Sequence, residues 1–505
     1  MAEVVGMSMD EIFDVIVVGG GGSGLAAALS AREAGRSVVL LEKNPALGGT
    51  TGLSIGSITA TATPHQIAAG IKDRPQDHFS DMPKFAPGLE TRDNLALRHL
   101  LTENVPETFR WLCDLGLVFY GPMPEPPHKK PRMHNVLPNS RAYVHVLGGH
   151  AAHRGVDIRT DARAWELLRE GERVVGVRAE IAGQEVRLGA RGGVVLASGD
   201  YAASAELKAR FMSPEAAAVD PINSSNTGDG QSMAMDLGGR VLNGDLTLGP
   251  EIRFVPPPQD SFVRCLPPWR WLARFMAWSM DHVPAVLLRP FMMSFVTTHL
   301  AADPSLFREG AVLVDARGER FTDELAEPAF DLPSRPDKIG YILFDRRVAK
   351  KFSKWPHFIS TAPGIAYAYL ADYKRNRKDV YHRARSLNQL AKVLGMATDV
   401  LKANIEEYNS SLTGDRKPIT KPPFVALGPV KSSIIIVEGG VAIDERLRVL
   451  ADDTPIPGLY GAGSAGQGGL LLEGHGHHLG WAFTSGRLAG RNAAYEVTTA
   501  DTVKT

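Results

Sequence analysis

Cysteine is scarce in this sequence, since Cys113 and Cys265 are the only two among 505 residues. They lie far apart and in no metal-ligand spacing, so neither a disulfide framework nor a thiolate metal site is expected, and a reducing compartment fits. A surplus of one charge is also missing, because 56 Lys and Arg balance 56 Asp and Glu. Without a basic excess, nucleic acid is not expected as a partner. No metal site of another kind is predicted.

Signals for a membrane are missing as well. No uncharged apolar run reaches the roughly 18 residues of a membrane span. Residues 1–10 have neither a basic start nor a sustained apolar core, which argues against a secretory signal. We therefore expect a cytoplasmic protein. Its length of 505 residues favours two domains over one.

A strand–helix–strand unit opens the sequence. Residues 13–18 read as a buried parallel strand, residues 25–34 as an Ala-rich helix, and residues 37–41 as a second strand. Such a unit requires a parallel sheet, and it predicts an α/β fold.

The turn between the first strand and the helix has the pattern GxGxxG. Gly19 permits the tight turn, Gly21 lets the backbone approach a pyrophosphate, and Gly24 lets helix and strand pack closely. Glu42 ends the second strand, where a carboxylate can accept hydrogen bonds from ribose hydroxyls. Together these features predict a dinucleotide site with its phosphates at a helix N-terminus.

Five further blocks follow in order along the chain: the Gly/hydroxyl loop 47–56, then 196–201 (LASGDY), 226–235 (NTGDGQSMAM), 310–324, and the closing segment 439–463. In this order they resemble the fumarate reductase/succinate dehydrogenase flavoprotein family, which includes the 3-ketosteroid dehydrogenases. The resemblance extends over nearly the whole chain and implies FAD as the cofactor, held between an FAD-binding domain and a cap.

The domain division follows from composition, which shifts after Pro250 and again at Pro422-Pro423. We expect a discontinuous Rossmann-type FAD-binding domain, a parallel sheet with helices, formed by residues 1–250 and 421–505. An α+β cap or substrate domain, residues 251–420, is inserted into it.

The residues expected to bind FAD are mostly small, hydroxyl-bearing or acidic. They are Gly19, Gly21, Ser23, Gly24, Glu42, Lys43, Gly49, Thr50, Thr51, Ser54, Ala162, Ala197, Ser198, Gly199, Asn226, Asp229, Gly463 and Leu479. The resemblance implies that the final helix, from near Leu479, points its positive end at the flavin. Membrane-bound relatives attach FAD through a histidine in the loop after the ribose acid. Residues 44–57 contain none, so non-covalent FAD is expected.

Three positions depart from the pattern with which fumarate reductases hold a dicarboxylate. Pro328 stands where the family's catalytic arginine would come, Glu438 ends the stretch that carries a histidine, and His478 matches the substrate arginine approximately. Guanidinium groups suit carboxylates because they bind them bidentately. Succinate and fumarate are therefore not expected to be favoured, unless Arg320 or Arg335 substitutes.

The ketosteroid dehydrogenase pattern fits better in outline, although it is incomplete. Gly476 matches the glycine whose N–H helps to hold a ketone oxygen. Leu472 replaces a tyrosine of that pattern, and a second expected tyrosine is absent near Phe330. Steroid specificity does not follow from these residues.

Candidate catalytic groups lie in the segment 473–478 (EGHGHH), directly before the last helix. We assign His475 or His478 to carbonyl polarisation or proton transfer, because histidine titrates near pH 7. The alternative is that these histidines only hydrogen-bond the flavin. Tyr120 and Tyr143 are weaker candidates for the general base.

An aromatic and Met-rich stretch, 265–296, interleaves arginines with tryptophans. One interpretation is cap core. The other is a surface helix that makes peripheral membrane contact or guards an apolar substrate entrance.

The sequence thus predicts an FAD-dependent oxidoreductase acting on a CH–CH bond next to a carbonyl, by dehydrogenation or ene reduction. Its substrate would be a mainly apolar, steroid-like ketone, and its electron acceptor is unidentified. One alternative is a fumarate-reductase-like enzyme acting on a carboxylate, and another is a flavin-binding protein without turnover.

Overall fold

The fold was analysed on a computed structural model that describes residues 8–259, 262–362, 366–412 and 415–502. The strands up to residue 259 are β1 Glu11–Val18, β2 Val38–Leu41, β3 Ser57–Thr59, β4 Val118–Met123, β5 Met133–Leu137, β6 Asp157–Arg159, β7 Ala162–Glu170, β8 Arg173–Ile181, β9 Gln184–Leu196, β10 Asp220–Pro221, β11 Val241–Leu242, β12 Thr247–Leu248 and β13 Glu251–Phe254. The helices of this part are α1 Gly22–Glu33, α2 Gly49–Leu53, α3 Pro64–Ala68, α4 Pro75–Asp81, α5 Leu95–Asp114, α6 Arg141–His153, α7 Ala205–Phe211, α8 Pro214–Ala217 and α9 Asp229–Met235.

The remaining part begins with helices and returns to strands. Its strands are β14 Val312–Asp315, β15 Gly340–Phe344, β16 Ser360–Ala362, β17 Ala366–Ala368, β18 Tyr381–Ala384, β19 Phe424–Ile434, β20 Ile436–Val437, β21 Gly440–Val441, β22 Arg448–Ala451 and β23 Thr454–Gly461. Its helices are α10 Phe262–Cys265, α11 Arg270–His282, α12 Ala285–His299, α13 Ser305–Arg308, α14 Pro328–Asp331, α15 Arg346–Lys351, α16 Leu370–Asn376, α17 Leu387–Leu394, α18 Thr398–Ser410 and α19 His477–Thr502.

The larger sheet has the order β22-β23-β9-β1-β2-β6, and β8 and β7 extend it from β9. The pairs β1–β2, β1–β9, β2–β6 and β9–β23 are parallel. Residues 15–18 of β1 are at most 5% exposed, as a strand covered on both faces requires. The predicted α/β fold with a parallel sheet is confirmed.

The C-terminal block completes this sheet and its helix layer. Strand β23 pairs with β9, and α19 packs directly on α1. Two glycines allow the close approach of the helices, since a Cβ at Gly486 would lie 2.2 Å from the Ser23 oxygen and one at Gly490 2.1 Å from the Ala27 oxygen.

A second sheet, β10-β19-β15-β14 with β13 and β18 also paired to β19, has its own hydrophobic core. That core is drawn from residues 252–430, whereas the core around the larger sheet is drawn from residues 15–234 and 441–494. The separation supports the proposed division into an FAD-binding domain and an inserted cap. Strand β19 belongs to the second sheet, however, although the sequence assigns residues from 421 onwards to the FAD-binding domain.

Two further sequence expectations concern cysteines and membrane spans. Cys113 and Cys265 are both free thiols. Among the described helices, none combines the length and the apolar character that crossing a bilayer requires.

Candidate active site

A cleft of about 760 Å³ opens where β1, β2 and β9 end. This is the edge of a parallel sheet at which nucleotides bind. Fifteen of the eighteen residues expected to bind FAD line it: Gly19, Gly21, Ser23, Glu42, Lys43, Gly49, Thr50, Thr51, Ala162, Ala197, Ser198, Gly199, Asn226, Asp229 and Gly463. Other residues that line the cleft were not predicted, among them Asn44, Arg163 and Ser225.

Three expected FAD ligands are not among the cleft-lining residues. A Cβ at Gly24 would lie 1.8 Å from the Gly19 oxygen, so Gly24 serves the packing of helix on strand. The Ser54 hydroxyl donates to the Thr51 carbonyl at 2.8 Å and closes helix α2. Leu479 lies buried in the first turn of α19.

The phosphate loop has the geometry that a dinucleotide needs. Gly19 has φ +110°, and a Cβ there would lie 2.4 Å from the Ala197 oxygen. At Gly21, by contrast, a Cβ would meet only the Gly48 oxygen, at 3.9 Å. The backbone at Gly21 therefore leaves space beside the cleft, at the N-terminus of α1, where a pyrophosphate would be favoured.

The ribose end of the cleft is held by Glu42. Its carboxylate accepts from Gly20 N at 2.8 Å, from Asn44 N at 2.8 Å and from Asn44 Nδ2 at 2.6 Å. Lys43 and Arg163 both pair with Asp229, at 2.6 and 2.9 Å. The three bonds to Glu42 fix this acid at the end of β2 in one orientation.

The segment before α19 is hydrogen-bonded to β3. Thr59 N donates to the Gly476 carbonyl at 3.2 Å, and Thr59 Oγ1 donates to the His475 carbonyl at 2.6 Å. Gly476 has φ +90°, and a Cβ there would lie 2.6 Å from Thr59 N. Only glycine fits, and the turn sets the direction of the histidines on either side.

His478 forms a largely buried pair with Glu438. His478 Nε2 and Glu438 Oε1 lie 2.7 Å apart. Burial lowers the pKa of His478, but the attraction of Glu438, together with Glu473 and Asp200, outweighs it, and the net pKa is raised. His478 is thus biased towards its protonated form near neutral pH. Two positions that depart separately from the fumarate reductase pattern are partners in the fold.

His475 forms a second pair, with Glu125. The Glu125 carboxylate accepts from His475 N at 2.8 Å and lies 2.5 Å from His475 Nδ1. The hydrogen bond to Glu125 raises the pKa of His475, although burial opposes it. The His475 side chain is 45% exposed, so the outer edge of its ring remains accessible.

Carboxylates dominate the electrostatics around both histidines. Burial raises the pKa of Glu473, and the neighbouring Glu438 and Glu251 raise it further. Arg253 is also close, but it pairs with Glu251 at 3.0 Å. Such a site disfavours an anionic substrate.

The family described as FAD binding domain matches residues 14–257 and 284–471, which is most of the chain. The chain belongs to this FAD binding domain family. The match confirms the FAD cofactor that the sequence predicts.

Relatives of this flavoprotein include fumarate reductases. It is 26% identical over 502 residues to a fumarate reductase (cytochrome) of Shewanella frigidimarina, covering 95% of this chain and 77% of that protein. It is 26% identical over 469 residues to the NADH:fumarate oxidoreductase of Klebsiella pneumoniae (strain 342). There it covers 89% of this chain but spans only 44% of the relative.

Solved structures show the same fold. The open conformation of a flavocytochrome c3 fumarate reductase has a TM-score of 0.74 at 24% identity, covering 97% of this chain and 79% of that chain. The 3-ketosteroid delta1-dehydrogenase of Sterolibacterium denitrificans has a TM-score of 0.65 at 20% identity, covering 96% and 100%. Together with the family match and the sequence relatives, this shared fold confirms the predicted family resemblance and the prediction of an FAD-dependent oxidoreductase.

The tyrosines are poorly placed to act as the base of this flavoprotein. Tyr143 is fully buried and donates to the Gly56 carbonyl at 3.0 Å. Burial and then Asp281 raise the pKa of Tyr120, and burial raises that of Tyr143 well above its usual value. A tyrosine base needs the opposite shift.

The two arginines considered as substitutes are engaged elsewhere. Arg320 pairs with Glu324 at 2.8 Å, and Arg335 pairs with Asp315 at 2.6 Å. Both guanidinium groups are therefore already paired with carboxylates of the cap region.

His477 joins a buried cluster with His78 and His128 that the sequence did not reveal. One ring nitrogen of each lies within 4.8 Å of the others, a spacing that would suit a metal ion. Arg132 Nη1, however, lies 2.8 Å from His128 Nδ1 and can only donate, so the proton of this neutral ring sits on Nε2. That tautomer has no Nε2 lone pair to offer a metal. The expectation from the sequence that this protein has no metal site stays a prediction.

The role of Glu42 can be tested with Glu42→Gln. We expect FAD affinity to fall by about 1–3 kcal/mol, because a charged acceptor for buried ribose hydroxyls is lost. Titration of the apoprotein with FAD, followed by flavin fluorescence, measures this. Thr322→Val, a change at an exposed cap hydroxyl, serves as control. Unchanged FAD affinity in Glu42→Gln would mean that the ribose is held by other residues.

Proposed function

We propose that this flavoprotein transfers hydrogen across a carbon–carbon bond next to a carbonyl, in a neutral and mainly apolar substrate. The proposal rests on the Glu438–His478 pair. A histidine and an arginine at these positions, as in the fumarate reductase pattern, would offer up to two positive charges. Glutamate and protonated histidine sum to zero.

The chemistry assigned to the chain is proton handling and carbonyl polarisation. Bound FAD would supply the acceptor or donor of the hydride. We assign His478 the role of donor to the carbonyl oxygen, because Glu438 holds its ring and favours its protonated form. A donor at that oxygen acidifies the adjacent C–H and stabilises developing negative charge.

His475 is the candidate for the second proton. Its pair with Glu125 fixes the ring, and its exposed edge connects the site to solvent. Gly476 stands between the two histidines and presents its backbone at the N-terminus of α19, where the helix dipole favours negative charge. We also infer that FAD is held non-covalently, since the loop after Glu42 has no histidine.

The alternative is a reductase of a carboxylate substrate. The specific observation in its favour is the similarity to the fumarate reductases. Against it stand Pro328, the engaged Arg320 and Arg335, and the carboxylates of Glu438, Glu473 and Glu251.

The two substrate classes can be separated by reoxidation of the reduced protein. We expect a cyclic enone, 1,4-androstadiene-3,17-dione, to reoxidise the flavin anaerobically at least tenfold faster than fumarate, because the enone does not need the guanidinium partners that carboxylates favour. Stopped-flow absorbance of the flavin band measures both rates, and buffer without acceptor is the control. Turnover of fumarate at ordinary enzyme rates, on the order of 10 per second, would reverse the assignment.

A further inference from the structure

Helix α11 exposes large aromatic side chains to solvent and buries small residues. Trp271, Phe275 and Trp278, spaced i, i+4 and i+7, are 64%, 56% and 52% exposed. The residues that α11 buries are small, Ala273 and Ser279. A surface helix of a globular protein normally turns its large apolar side chains to the core. The interpretation of this stretch as cap core is therefore wrong for α11.

The exposed apolar surface continues onto the neighbouring segments. Trp269 precedes α11, and Val286, Leu287 and Phe291 lie exposed on α12. Seven of the seventeen exposed large hydrophobic side chains of the described residues thus fall between positions 269 and 291. The side chains of 294–296 lie outside the described part. A concentration of this kind marks an interaction site.

Cationic residues border the aromatic stripe. Arg270 and Arg274 are exposed on α11, one position before Trp271 and Phe275, and Asp281 is the single acid of the helix. Arg264 lies a few residues upstream. Three arginines against one acid make this segment locally basic, whereas the chain as a whole carries no net charge.

The face lies beside the junction of the two cores. Helix α11 packs on β4, which belongs to the first core, whereas α12 packs on α16, β17 and β13. Strand β13 carries Glu251 and Arg253 of the site. The face formed by residues 269–291 is thus anchored on both sides by packed elements.

We propose that this face, residues 269–291, binds reversibly to an anionic membrane surface. Tryptophan combines an apolar body with an N–H and favours the bilayer interface, while arginine binds anionic headgroups. Apolar area and basic residues together determine such binding. A second copy of this chain is the competing occupant, and the experiment below separates the two. The proposal does not depend on the identity of the substrate.

Vesicle flotation of the FAD-loaded protein tests it. We expect binding to vesicles of mixed phosphatidylglycerol and phosphatidylcholine, and much weaker binding to phosphatidylcholine alone. Arg270→Glu with Arg274→Glu should weaken binding roughly thirtyfold or more, given about 1 kcal/mol for each basic residue. Trp271→Ser with Phe275→Ser and Trp278→Ser should weaken it by at least about tenfold through lost apolar burial.

Matched controls lie far from the face in sequence. The triple change Trp165→Ser, Val393→Ser and Tyr495→Ser removes equally exposed apolar groups, and Arg169→Glu with Arg210→Glu reverses two exposed charges. Both controls should bind vesicles like the wild type, and retained FAD absorbance shows that each variant is folded.

Two outcomes overturn the proposal. One is a wild type that ignores anionic vesicles. The other is a wild type that is dimeric by light scattering and becomes monomeric in the aromatic triple variant, while vesicle binding is equal in both. The second result would identify the face as a contact between copies.

Discussion

Replacing His478 by alanine is expected to slow flavin reduction or reoxidation by the true substrate roughly a hundredfold or more, while FAD stays bound with a nearly unchanged visible spectrum. This is the usual size of a lost acid–base or oxyanion contact. FAD should stay because His478 pairs with Glu438, not with a residue that lines the cofactor cleft. Rapid mixing with substrate under anaerobic conditions measures the rate.

The rate of flavin reduction or reoxidation is also expected to depend on pH in a definite direction. The pKa of His478 is raised, so its protonated form persists to higher pH than that of an ordinary histidine. If that form donates to the carbonyl, the rate should fall as pH rises through the pKa. His478→Ala should lack this break. Glu438→Gln should keep a break but shift it to lower pH, because the carboxylate that stabilises the imidazolium is removed.

Matched variants separate catalysis from cofactor binding. His153→Ala, a change at an exposed side chain of α6, controls for the loss of a histidine outside the segment 473–478. His475→Ala tests the second pair in the same assay. If the His478 variant loses FAD while its remaining holoprotein reacts at the wild-type rate, His478 serves the flavin and not the substrate.

Mild acid is expected to destabilise the protein steeply. His78, His128, His134 and His477 are all buried, and burial lowers the pKa of each, to about 2 for His128, about 3 for His134 and about 4 for His477. Below about pH 6.5 the unfolded chain protonates these histidines, whereas the folded chain does not. The free energy of unfolding therefore falls as pH falls from 6.5 towards the folded-state values.

Two acids work in the opposite direction, Asp200 and Glu473, because burial raises the pKa of both. Burial raises the pKa of Asp200 to about 7, so the folded chain takes up a proton there that the unfolded chain does not bind until much lower pH. Four histidines less Asp200 leave about three protons, and the contribution of His65, whose pKa burial lowers, opposes that of Glu473. Near pH 5 the slope should approach roughly 4 kcal/mol per pH unit, at about 1.4 kcal/mol per proton.

Urea unfolding of the holoprotein between pH 7 and 5, followed by tryptophan fluorescence, measures this slope. His477→Asn should remove about one proton from it, and His153→Ala should leave it unchanged. A free energy of unfolding that is constant over this range would contradict the neutral, buried state of the cluster.

The nucleotide-binding half could be predicted from sequence because its determinants are local. The turn from Gly19 to Gly24 and the acid Glu42 lie within one strand–helix–strand unit, where backbone geometry leaves little choice of residue. A Gly-rich turn after the first strand and an acid at the end of the second strand predict a dinucleotide site in any chain with this topology.

The histidines His475 and His478 could be predicted as candidates, but their carboxylate partners could not, because these partners are distant in sequence. Glu125 and His475 are separated by 350 positions, and Glu125 lies in the Pro-rich segment between β4 and β5. His477 resembles its neighbours in sequence, yet it is buried with His78 and His128, while His475 reaches solvent. A histidine has no fixed function of its own. Burial and the nearest carboxylate decide whether it is charged, and only the tertiary structure brings these together.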